Sequence, residues 1–160
     1  MTTGIDMSKL IKESAKDAEN KTAWVEFQRG IQFQMSFVPR GAIRKMVDDC
    51  TVHKYDPTTK TREPQIDNKR FLTALCKRAV KDWKNVTPAS LSKIVPVDLT
   101  ELPEEAHEEE LPFDIKTVIT LAEEGYDFDT FIKDVAMDAS YFNSVTEEEL
   151  KNSETSQSGS

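Results

Sequence analysis

The sequence predicts an α+β protein that is mostly α-helical, with an N-terminal β-hairpin packed on a small helical bundle and a disordered C-terminal tail. Three observations carry this expectation. Strict alternation of apolar and polar residues runs from Ile31 to Phe37 (Ile31, Gln32, Phe33, Gln34, Met35, Ser36, Phe37), the period-two pattern of a strand with one buried face. Most of the remaining apolar residues recur at three- and four-residue spacing in segments opened by Asp or Pro, as amphipathic helices do. Charge is segregated along the chain: residues 1–100 carry 18 Lys/Arg and 12 Asp/Glu, a net +6, whereas residues 101–160 carry 3 and 17, a net −14.

With 160 residues, 38% of them hydrophobic, the chain is the size of one domain with a modest core and polar margins. Its expected organisation is an N-terminal helix or arm (1–22), one α+β domain (23–143) containing an acidic connector (97–110), and an acidic, polar tail (144–160). The arm places Met7, Leu10, Ile11, Ala15 and Ala18 at helical spacing behind a capping Asp6. Its stripe is thin, so it reads as a marginal or partner-dependent helix. Arg29-Gly30 fits a turn between strands 23–28 and 31–38, and such a ribbon must pack on a helix or on another chain.

Pro39 opens a helix whose inner face is Ile43, Met46, Val47 and Cys50. Residues 51–64 have turn chemistry at Asp56-Pro57 and no helical stripe, which predicts an exposed loop or small hairpin. Asp67 caps a basic helix that buries Phe71, Leu72, Leu75, Ala79, Val80 and Trp83, with Lys69, Arg70, Lys77, Arg78, Lys81 and Lys84 outside. Thr87-Pro88 starts a short helix carrying Leu91, Ile94 and Val95, which Pro96 ends. Asp114 caps a helix over Ile115, Val118, Ile119 and Ala122, with Gly125 as its left-handed terminator. A last helix, started by Asp127 or Asp129, aligns Phe128, Phe131, Ile132, Val135, Ala139 and Phe142, and packs against the one before it.

The chemistry expected is that of surfaces. No serine-nucleophile motif, phosphate-binding glycine loop or paired-Cys motif occurs, so neither catalytic nor cofactor-binding residues are assigned and the protein reads as non-enzymatic. His107 between Glu105 and Glu108 reads as part of a solvated acidic connector, and no metal site is assigned. Cys50 and Cys76 fall on apolar stripes, where free thiols are favoured over a disulfide. No run of about 18 apolar residues suggests a membrane span, and the N-terminus lacks a signal-peptide pattern, so a cytoplasmic protein is expected. The basic face of 69–84 invites a test for nucleic-acid binding, but the acidic segment on the same chain opposes a polyanion, and a protein partner or solvent is favoured. Trp83, Phe113, Phe128, Phe131 and Phe142 are the candidate partner contacts, weighed against the ordinary role of such rings in a core.

The order of these parts resembles the tail assembly chaperones of long-tailed bacteriophages and prophages. The resemblance covers roughly residues 23 to 152: a β-hairpin, a helix, an Asp67-Asn68-Lys69-Arg70-Phe71 helix start ending in Asp82-Trp83-Lys84-Asn85-Val86, a Leu111-Pro112-Phe113 helix start, an aromatic helix ending in Phe142, and a Glu-rich end at Lys151-Asn152. The N-terminal helix and the 51–64 segment do not fit the pattern. The resemblance implies a protein of the host cytoplasm that coats the tape-measure protein, helps recruit tail-tube subunits and is absent from the mature virion. It also implies a programmed frameshift near Lys151 and Asn152, because Leu150-Lys151-Asn152 can be encoded by a slippery heptamer. Self-association is credible from the unpaired hairpin edge and the thin N-terminal helix. The competing readings are a structural head–tail connector or tail-completion protein and, behind it, a nucleic-acid-associated regulator using the 69–84 face.

Overall fold

The computed structural model describes residues 4–143, and the tail with Lys151 and Asn152 lies outside them. Helix α1 (Met7–Glu19) is capped by Asp6, whose carboxylate accepts from the Lys9 N–H, and it buries only Ala18. The expected hairpin follows as β1 (Thr22–Gln28) and β2 (Ile31–Ser36), joined by Arg29 at φ 53° and Gly30 at φ 80°. Two central residues with positive φ make the turn that matches strand twist, and Gly30 adopts that region without a Cβ penalty. The alternation in β2 does what it promises: Ile31, Phe33 and Met35 are fully buried.

The ribbon is not two-stranded. The basic helix α3 (Asn68–Ala79), capped by Asp67, stops four residues before Trp83, and β5 (Val80–Lys84) then pairs antiparallel with β2. The expected helix through Trp83 is therefore corrected to a helix followed by a strand, in a sheet of order β1-β2-β5. Apolar residues three apart share a helix face but fall on opposite faces of a regular strand. Here Val80 pairs with Met35 and Trp83 with Phe33, with an irregular register between Gln34 and Met35, so both side chains turn inward. A bulge thus reproduces helical spacing inside a strand.

Between these pieces lie α2 (Arg40–Asp49), directly after Pro39, and a second hairpin, β3 (Thr51–Asp56) with β4 (Thr61–Ile66). Of the loop and hairpin alternatives for this segment, the structure contains the hairpin, longer by two residues and exposed along β4. Its base is pinned by the Asp67 N–H on the Cys50 carbonyl (2.8 Å) and the Thr51 hydroxyl on the Val47 carbonyl (2.6 Å).

Helix α4 (Pro88–Leu91) opens with a capping box between Thr87 and Ser90 and ends before Ile94 and Val95, which continue as turns. The acidic connector contains two short 3-10 turns, Leu99–Glu101 and Glu104–Ala106, and is stitched to the domain. Ala89 donates to the His107 carbonyl, Leu111 to the Val86 carbonyl, and the Asn85 N–H to the Glu110 carboxylate. No ion pair joins residues 97–110 to the basic face of 69–84 among the described residues.

Helices α5 (Ile115–Glu124) and α6 (Phe128–Ala136) close the core against α3 and the inner face of β2. Two expectations fail at their ends. Gly125 is extended at φ −82° rather than left-handed, and the positive φ of 63° belongs to Asp127. Glycine is needed at 125 because a Cβ would run into the Leu121 carbonyl oxygen. Helix α6 stops at Ala136 instead of continuing to Phe142: the Ala136 carbonyl accepts the Val38 N–H (2.9 Å), and Asp138 caps a fresh helical turn from residue 139.

Candidate functional site

Of the five candidate contact rings, Trp83, Phe128 and Phe142 are buried, and Phe113 and Phe131 are half-buried on the same core. Phe128 lies 4.9 Å from Phe33 and 5.1 Å from Phe27, and Phe131 lies 5.0 Å from Phe27. Trp83 stands edge-on to Phe113 (5.3 Å) and Phe33 (6.5 Å), and its indole N–H donates to the Leu111 carbonyl (2.8 Å). Phe142 sits apart from this group, 5.6 Å from Phe37. These rings cross-link the sheet to α5, α6 and the connector; they stiffen the domain and do not form an exposed aromatic patch. Phe27 and Phe33, read only as strand residues in the sequence, are the centre of the cluster.

An aromatic side chain also lies on the other side of the sheet. Trp24 is 37% exposed, with the Lys84 ammonium 3.9 Å from its ring centroid. The neighbours that share this face by register, Gln32, Gln34 and Asp82, are polar, so the sheet has one dry side and one wet side.

Two open grooves are lined by apolar atoms to a greater extent than by polar ones. One, of about 470 Å³, lies between α2 and α3 at the foot of the β3–β4 hairpin. Cys50, Thr73 and Ala74 line it, with Lys69, Arg70 and Lys77 supplying positive charge and Asp49 one negative. The second, of about 340 Å³, is formed by Phe37, Val38, Arg40, Ile43 and Met137. Neither groove was legible as a site: the first combines one face of α3, read in the sequence as a basic outer face, with Asp49 and Cys50 from the end of α2, and the second joins residues from separate elements.

Among the described residues the titratable groups form no reactive set. Burial, helped by the nearby Glu123 carboxylate, pushes the Cys76 thiol up to about 12, which makes it a poor nucleophile. Cys50 is also free and buried. Asp98 and Asp138 are held below the usual carboxylate range by hydrogen bonds from Thr100 and Ser140, the ordinary signature of capping aspartates. His107 donates from Nε2 to the Leu99 carbonyl at 2.8 Å and so secures the connector. Among the described residues no three His, Cys, Asp or Glu side chains converge as a metal set, and no helix is long and apolar enough to cross a membrane. Comparisons with protein-family models, with curated proteins and with solved structures find no match to this chain.

Proposed function

We propose that the protein is a tail assembly chaperone that holds an apolar helical segment of a tape-measure protein in the groove between α2 and α3. The observation that carries this reading is the character of that groove: open, with Cys50, Ala74 and the aliphatic stems of long side chains as its apolar lining, and bordered by Lys69, Arg70 and Lys77. An amphipathic helix docks in such a groove through side chains at three- and four-residue spacing, and a cationic rim favours acidic residues along its flank. The resemblance of the sequence motifs suggests the same partner, although the helix expected through Trp83 is a helix and a strand and the one expected to reach Phe142 stops at Ala136. Many modest contacts rather than one enclosed pocket suit a client that tail-tube subunits must later displace. Work in the host cytoplasm, without enzymatic activity, is part of this proposal.

Co-expression with the tape-measure protein, followed by affinity purification, tests it, together with mass spectrometry of purified particles. The expected outcome is co-purification with the tape-measure protein and absence from particles. Stoichiometric presence in particles without tape-measure binding would instead fit a head–tail connector or tail-completion protein.

A further inference from the structure

Helix α1 presents a face that its own chain leaves uncovered. Ile5, Met7, Leu10 and Ile11 are 64%, 56%, 48% and 62% exposed, although Met7, Ile11, Ser14 and Ala18 form a continuous helical ribbon. Beside that ribbon runs a second one, Asp6, Leu10, Glu13 and Asp17, at the same four-three-four spacing. One flank of the apolar face is therefore acidic. Glu13 has only a long contact to Lys9, at 3.9 Å between two exposed side chains.

The link between this helix and the domain is short and ordered. Asn20 and Lys21 donate their N–H groups to the Asp17 and Ala18 carbonyls, Ala18 is buried, and Thr22 already pairs with Ser36. The link ties the far end of α1, where Ala18 is buried, to the sheet, while Ile5, Met7, Leu10 and Ile11 stay exposed. At 13 residues the helix reaches about 20 Å.

We infer that α1 is an exchange arm whose apolar face seats in the Phe37–Val38–Arg40–Ile43–Met137 groove of a second copy of this chain. The two surfaces match in character: the groove is lined chiefly by apolar atoms, and Met137 is 42% exposed. They also match in charge, because Arg40 lies in the groove and Arg44 one helical turn further along α2, both exposed, where the acidic ribbon of the arm would lie. The groove begins at Phe37, next to the Thr22–Ser36 pair from which the arm departs. Reciprocal exchange about a two-fold axis would therefore keep both arms close to both grooves. This inference uses a different surface from the α2–α3 groove and does not rest on the identity of the client.

Sedimentation equilibrium of the full chain tests it with two variants at exposed positions, Leu10→Glu/Ile11→Glu in the arm and Arg40→Glu/Met137→Glu in the groove. Wild type should be dimeric, each variant monomeric with an unchanged circular dichroism spectrum, and an equimolar mixture of the two should recover a heterodimer through its one intact arm and groove. A monomeric wild type would overturn the proposal. So would a groove variant that stays dimeric, as expected if arms pair with arms or β1 edges with β1 edges, or a mixture that stays monomeric.

Discussion

Replacing Trp83 by Ala tests the burial of the ring that β5 places against Phe33. In the structure Trp83 is 5% exposed, packs edge-on to Phe33 and Phe113, and donates its indole N–H to the Leu111 carbonyl at 2.8 Å. Deleting a buried aromatic side chain costs about 3–5 kcal/mol through lost transfer energy and the cavity left behind. Trp83→Phe keeps much of the ring contact but leaves the Leu111 carbonyl without its donor, a loss of about 1–3 kcal/mol. For a chain of this length about 1 kcal/mol shifts Tm by roughly 2–4 °C, so Trp83→Ala should lower Tm by about 6–20 °C and Trp83→Phe by about 2–12 °C. Urea unfolding followed by far-UV circular dichroism gives the free energies directly. A loss within about 0.5 kcal/mol for Trp83→Ala, the value for an unremarkable surface position, would refute the burial of Trp83 in the core.

Three further outcomes follow from the geometry. The Cys76 thiol, pushed up to about 12 from an ordinary 9.0, keeps its proton in the folded state after the unfolded state has lost it, so stability is present below about pH 9 and falls between about 9 and 12. The limiting slope is about 1.4 kcal/mol per pH unit, and Cys76→Ala should flatten it in alkaline denaturation curves; an unchanged slope would contradict the burial. Gly125→Asn should destabilise as much as Gly125→Ala, by about 1–3 kcal/mol in urea titrations, since any Cβ meets the Leu121 carbonyl; a left-handed site would tolerate Asn better than Ala. With Trp24→Phe in place, the remaining Trp83 fluorescence should be blue-shifted and resistant to acrylamide, whereas Trp83→Phe should leave a red-shifted, readily quenched Trp24; equal quenching would contradict their opposite placements.

What the sequence made legible was local. Asp6, Asp67, Asp114 and Thr87-Pro88 mark real helix starts, and the Ile31–Phe37 alternation with its Arg29-Gly30 turn marks the real hairpin. Errors arose where a distant partner decided. Val80 and Trp83 have a spacing that fits a helix, and only pairing with β2 through a bulge makes them a strand. The α6 pattern runs on to Phe142, but the Val38 N–H takes the Ala136 carbonyl and ends the helix there. The left-handed residue fell on Asp127 because the close approach at Leu121 reserved Gly125 for a different purpose. The candidate rings lie in the core, the ordinary role weighed for them, because one-sided helical spacing is equally the pattern of a core. The α2–α3 groove was legible only as the basic face of α3, since Asp49 and Cys50 join Thr73 and Ala74 only when α2 packs on α3.

The most direct test of the chaperone reading places charge in that groove and measures client capture. Ala74→Glu introduces an acid into the lining, and Lys69→Glu/Lys77→Glu reverses charges along it. In co-expression with the tape-measure protein, wild type should recover the client in the soluble fraction, and both variants should lose most of it while keeping the wild-type circular dichroism spectrum. Undiminished recovery by both variants would contradict the groove as the client site, and no recovery by wild type would contradict the proposed function itself.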